Sequence, residues 1–295
     1  DIWANGSTTG VISGLTIVSA NTVSLDATTD VVNSTVDAVG DVVVGTAATV
    51  ADVSGLLVET DGLIDINATA EVVNSDFNAG SDDADTVTIG SGGTNVTRVS
   101  GVTADAGGQI DVWSSGDIEG STFTTTDDNE DEGVKLDAGG AIVDTTVVAE
   151  TGEADVDADG AIEGLEVRAE DVIVAGASIN NTDISVLGTT AGSDVAMVDA
   201  DGGSITNITV VADGVLADVS ATGDIDGLNV RADDTQIDGD NVQNGFVTVL
   251  GAVGDADIWA NGSTTGVISG LTIVSANTVS LDATTDVVNS TVDAV

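Results

Sequence analysis

Cysteine, proline, histidine and tyrosine are all absent from this 295-residue sequence. Without cysteine there are no disulfides, so the redox compartment cannot be read from cysteine usage. Without cysteine or histidine there is no Ser-His-Asp triad, no Cys-His pair and no Cys/His zinc site. Positive charge is nearly missing. Arg98, Lys135, Arg168 and Arg231 are the four basic residues against 51 acidic ones, a formal charge of -47. Phosphate recognition needs clustered Lys and Arg, so this balance argues against a nucleic-acid partner. Aromatic residues make up 2 %, so a core must be built from Val, Ile, Leu and Ala. No stretch approaches the roughly 18 apolar residues of a membrane-spanning helix. No basic segment followed by an apolar one opens the chain, as a signal peptide would.

What is present is β-branched and repetitive. Hydrophobic residues reach 41 %, a content that disordered acidic chains lack, so the chain is expected to fold. Residues 1–39 recur without a change as residues 257–295. The period is 256 residues, which defines residues 1–256 as one complete unit and 257–295 as the start of the next. Identity at every position points to a window on a tandem array, and the natural polypeptide is expected to continue past residue 295.

A shorter, degenerate motif, [IV]-x-[GND]-x-x-[VI]-x-x, runs inside that unit. It begins at Ile12, Val31, Val53, Val72, Val99, Ile118, Ile142, Ile162, Ile179, Ile205, Ile225 and Val242, and again at Ile268 and Val287. Twelve starts in 256 residues give a mean period of about 21, a length that signals a solenoid. A second alternating run follows, as in Val23–Ala27, Val134–Ala138 and Val215–Val219. Period-two alternation rich in Val and Ile, bounded by Gly, Asp and Asn, predicts strands. Each unit of about 21 residues therefore holds two or three short strands, and stacked coils form an all-β, right-handed parallel β-helix of about 12 coils per 256 residues.

The third motif position carries the geometry. It is Gly14, Asn33, Gly55, Asn74, Gly101, Gly120, Asp144, Gly164, Asn181, Asn207, Gly227 and Asn244. These residue types tolerate a left-handed backbone, which predicts a corner with φ > 0 at the same place in every coil. The sixth position, from Ile17 and Val36 to Val230 and Val247, predicts an inward stack. The lack of proline agrees, because every strand of a solenoid needs its N–H for the neighbouring coil. Longer spacings place surface insertions at Ser81–Asp85 and Asp127–Gly133.

Phrases such as Asp137-Ala-Gly-Gly-Ala-Ile-Val, residues 157–169 (DADGAIEGLEVRA) and residues 221–232 (ATGDIDGLNVRA) resemble secreted β-helix repeat adhesins. Filamentous-haemagglutinin-like proteins and giant bacterial surface-fibre proteins are the nearest comparison. The resemblance covers the whole chain through its repeat grammar. It implies export and a role as stalk, fibre or adhesive surface, and it carries over no active-site residue.

Candidate chemistry is sparse. Asp155-Val-Asp157-Ala-Asp159-Gly160, with Glu166 at the twelfth place, matches the EF-hand loop pattern and makes Asp155, Asp157 and Asp159 calcium candidates. In a chain with 51 acids such a match arises easily, and a solvated acidic loop is the plainer reading. The run Asp127–Glu132 gives Asp127, Asp128 and Glu130 the same status. No cofactor is required, and calcium or another cation is the candidate ligand. The competing enzyme class is the polysaccharide-active β-helix. Asn181-Thr182-Asp183 matches one motif of such enzymes, but their Gly-His-Gly cannot exist here, and Asn181 is already a corner. Paired carboxylates alone carry no information among so many acids. An ice-binding face would need regular Thr-x-Thr ladders, of which only Thr122/Thr124 is present. Sequons at Asn5, Asn33, Asn67, Asn95, Asn180 and Asn207 follow from abundance, and Asn33 and Asn207 double as corners.

The expectation is a non-enzymatic structural protein. It is a segment of a long acidic extracellular solenoid filament whose partner is itself. The alternative is the stalk of a cell-surface adhesin with its binding tip elsewhere. One unit carries 47 acids and 4 bases, hence -43. Spread over about 58 Å of coils stacked at roughly 4.8 Å, that is one net charge per about 1.3 Å, denser than duplex DNA at roughly 1.7 Å. Such a polyanion is expected to depend on salt or divalent cations.

Overall fold

A computed structural model describes residues 1–295 apart from 5–8, 47–49, 92–95, 127–132, 189–193 and 295. The chain packs as two compact units, Asp1–Gly152 and Glu153–Val295. Each is a right-handed parallel β-helix, the hand that parallel crossovers adopt, with no helix among the described residues. The division falls inside the 256-residue period and not at its end.

A coil has three strands. In the first unit one coil runs Ile12–Ser13, Thr16–Ser19 and Val23–Ala27, and the next runs Asp30–Val32, Thr35–Ala38 and Val42–Val44. Each strand pairs in parallel with its counterpart one coil on: Ile12↔Val31↔Val53 on the first face, Ile17↔Val36↔Val58 on the second, Leu25↔Val44↔Ile66 on the third. The second unit repeats the scheme as Ile205↔Ile225↔Val242↔Ile268, with Val210↔Val230↔Val247↔Ile273 beside it. Several of its strands run unbroken around a corner, as in Ile205–Ala221 and Ile225–Gly239.

Every corner expected from the third motif position has positive φ. The twelve residues from Gly14 to Asn244, and Gly270 and Asn289 after them, lie between 47° and 75°. Glycine, asparagine and one aspartate occupy these places because other L-residues meet a steric penalty there of roughly 1–2 kcal/mol. Asparagine and glycine corners also interlock. The side-chain Oδ1 of Asn33, Asn74, Asn207 and Asn244 lies 2.6–2.9 Å from where a Cβ would stand on Gly55, Gly101, Gly227 and Gly270 of the following coil.

The fourth position holds a feature that the period alone did not reveal. After the corners Asn33, Asn74 and Gly120 the next residue is serine, and its hydroxyl reaches back one coil. Leu15, Leu56 and Val102 donate their N–H groups to Ser34, Ser75 and Ser121 at 3.2–3.3 Å. Each hydroxyl in turn donates to a carbonyl two residues before it, Val32, Val73 or Glu119, at 2.9–3.0 Å. The chain is turning here, so the hydroxyl supplies the partner that a straight ladder would have provided. An unmet buried N–H would cost about 1–3 kcal/mol.

Aliphatic ladders fill the interior, and the two large exceptions are arranged by volume. Phe77 and Phe123 are fully buried on the second face, and Ala104 lies between them in register. The small residue makes room for two rings in an aliphatic stack.

Candidate functional site

The outward faces carry the charge, so they are where a site would be built. Asp155, Asp157 and Asp159 lie on the strand Thr146–Glu163, while Ala154 before them and Val156 and Ala158 between them are buried in the core. This corrects the loop reading of that stretch. Alternation of small apolar residues with aspartate makes a strand whose outward carboxylates are spaced about 6.7 Å apart along a line. An EF-hand loop instead curls, so that its first, third and fifth positions converge. Glu166 begins the next strand, Glu166–Val186, and is exposed. Asp157 and Asp159 share an open depression of about 360 Å³ with Asp201, Gly176 and Gly202. Among the described residues no three acidic side chains come close enough to hold a metal ion. Asp127, Asp128 and Glu130 lie outside the described residues.

Asn181, from the Asn-Thr-Asp triplet, is a corner with φ 50°, and Asn207 Nδ2 donates to its Oδ1 at 3.4 Å. Thr182 is buried and donates its hydroxyl to the Asn180 carbonyl. The triplet thus performs the corner's work and presents no paired carboxylates. Among the sequons, Asn33 and Asn207 are exposed corners, whereas Asn5 and Asn95 lie outside the described residues.

Electrostatics of the faces is repulsive. Asp30 pairs with Asp52 and Asp37 with Glu59 on adjacent coils, placing like charges side by side. Burial, reinforced by Asp199 and Asp238, raises the Asp218 carboxyl above its ordinary 3.8. Burial raises Asp65 as well, against a hydrogen bond from Asn67. Asp105 is raised by burial and by Asp76, and Asp171 by burial and by Asp194, each opposed by one hydrogen bond. Ion pairs between coils answer part of this charge: Arg98 meets Glu119 at 2.6 Å, and Arg231 meets Asp213 at 2.7 Å.

One polar cluster was not legible in the sequence. Asp26 alternates outward by position, yet it is buried. Ser24 and Thr46 donate their hydroxyls to its Oδ2, at 3.2 and 2.7 Å. Thr46 belongs to the following coil, so only the coil register brings it there. The cluster is a satisfied structural network.

The arrangement therefore offers long strand faces, regular corners and open depressions rather than a convergent constellation. No protein-family model matches the chain, and neither curated proteins nor solved structures give a match.

Proposed function

We propose that the chain is a segment of a long, acidic, extracellular β-solenoid filament built from tandem 256-residue units. The observation that supports this reading is the junction between copies. Val242, in the last coil of the unit, pairs with Ile268, the copy of Ile12, as any internal pair does. Val247 pairs with Ile273 and Ile237 with Ile258 on the other two faces. The ladder crosses from one unit into the next without a bulge or a cap, so further units can be added in the same way.

The repeat grammar shared with secreted β-helix surface proteins supports an exported filament. The high charge density suits a fibre kept from lateral collapse by its own repulsion. Antibodies against residues 1–256, applied to intact source cells and followed by gold labelling in the electron microscope, test the reading. Labelled filaments outside the cell envelope support it. Label found solely after cells are opened refutes it. Filaments that each end in an unlabelled globular tip would favour the adhesin stalk.

A further inference from the structure

On the four coils that begin at Ile205, Ile225, Val242 and Ile268, the second face presents no acid. Its inward ladder is Val210↔Val230↔Val247↔Ile273, all buried. The residues that alternate with this ladder face outward in two rows fixed by the strand register. One row is Thr209, Asn229, Phe246 and Thr272. The other is Val211, Arg231, Thr248 and Val274. Phe246 is 52 % exposed and Val274 37 %. Arg231 is the one charge in the two rows, and it already meets Asp213 at 2.7 Å.

The third face of the same coils is the contrast. Each coil places an aspartate in an outward position there: Asp218, Asp238, Asp257 and Asp282. The first face adds Asp226, in register between Thr206 and Gln243. In a chain with 51 acids, eight adjoining outward positions without one set the second face apart.

We propose that this face docks on the same face of a second copy of the chain, as an isologous pair. Charge selects the occupant. A basic partner would be drawn to the aspartates of the third face instead. An acidic partner would find Arg231 already neutralised by Asp213. The face therefore suits a surface that is itself without net charge, and another copy of this polyanion offers one in the same eight residues. Copies that approach through their third faces set aspartate against aspartate, which repels. An exposed ring and valine among threonines also give the apolar centre and polar surround of a protein interface. Four strands about 4.8 Å apart and four residues long cover roughly 250 Å², against about 800 Å² per partner in a stable dimer. One pair of faces is thus a weak contact, and repetition along the proposed filament would add to it. The pairing itself does not depend on where such a filament lies.

The chain has no native cysteine, so a single introduced thiol reports its own face. Asn229→Cys places one on the second face and Gln236→Cys one on the third, both at exposed positions. Full chains are treated with a short bismaleimide at about 0.15 M salt, where distant charges are screened and adjacent ones still repel. Dimer is read on a denaturing gel, and labelling by a monofunctional maleimide corrects for thiol reactivity. Asn229→Cys should form dimer at least about tenfold faster than Gln236→Cys, a preference of about 1.4 kcal/mol. Adding Phe246→Asp, which puts a carboxylate where the ring was, should lower the rate to that of Gln236→Cys. Thr272→Asp adds the charge without removing the ring and keeps the test decisive if the Phe246 variant fails to fold. Equal rates for the two cysteine positions would overturn the proposal. So would folded variants with the added carboxylate that cross-link as fast as Asn229→Cys alone.

Discussion

Replacing glycines at two corners separates the backbone requirement from the side-chain interlock. Gly120 has φ 54°, and a Cβ there meets nothing within 4 Å. Asparagine tolerates this conformation, so Gly120→Asn should change stability by no more than about 0.5 kcal/mol. Valine does not, and Gly120→Val should cost at least about 1–2 kcal/mol. Gly227 has φ 75°, but a Cβ there would lie 2.6 Å from Asn207 Oδ1. Gly227→Asn must therefore push the Asn207 side chain aside and break its hydrogen bond to Asn181, a loss of about 0.5–1.5 kcal/mol. Pairing it with Asn207→Gly removes the obstacle and should recover most of that loss, a coupling that a double-mutant cycle measures. Urea unfolding followed by far-ultraviolet circular dichroism reads each midpoint. The slope must stay constant, because long solenoids can lose two-state behaviour. Equal losses for Gly120→Asn and Gly120→Val would refute the left-handed corner. Equal losses for Gly120→Asn and Gly227→Asn, with no recovery in the double variant, would refute the interlock.

Buried hydroxyls should split by partner in the same assay. Ser75→Ala strands the Leu56 N–H and should destabilise by about 1–3 kcal/mol, whereas Thr235→Val removes a fully buried hydroxyl that has no hydrogen-bond partner and should be neutral or stabilising by about 1 kcal/mol. Phe77→Ala should cost about 3–5 kcal/mol in denaturant unfolding, and Ala104→Leu should also destabilise, by about 1–3 kcal/mol, because the rings on either side leave no room. For pH, Asp65, Asp105, Asp171 and Asp218 bind protons more readily folded than unfolded, so stability should rise as pH falls from neutrality through their raised values and level off below the ordinary 3.8. Thermal melts should show Asp218→Asn melting higher than the parent at pH 7 and gaining less on acidification. A parent that loses stability steadily from pH 7 to the onset of that plateau would contradict the assignment.

The corners and inward stacks were legible because each rests on a property of single residues. Left-handed φ admits glycine, asparagine and aspartate, and a buried ladder admits Val, Ile, Leu and Phe. The serine bridges depend on pairs one coil apart, such as Ser75 and Leu56, which become visible only when coils are aligned by their corners. The alternation of Leu and Ser at the fourth position was the available signal. Asp26 was unreadable for a similar reason, since its partner Thr46 is supplied by the next coil. At Asp155–Asp159 composition misled: aspartate and glycine suggest a loop, while the alternating Ala154, Val156 and Ala158 are small enough to hide a strand's inward face.

The central claim is that the ladder passes through each junction unchanged, so that a unit adds a fixed length. Polypeptides of one, two and four tandem copies of residues 1–256 test it by negative-stain electron microscopy in high salt. With twelve coils per unit at roughly 4.8 Å each, every added copy should lengthen the particle by about 58 Å at constant width. A particle that widens or folds back as copies are added, with length failing to grow in proportion, would contradict the account.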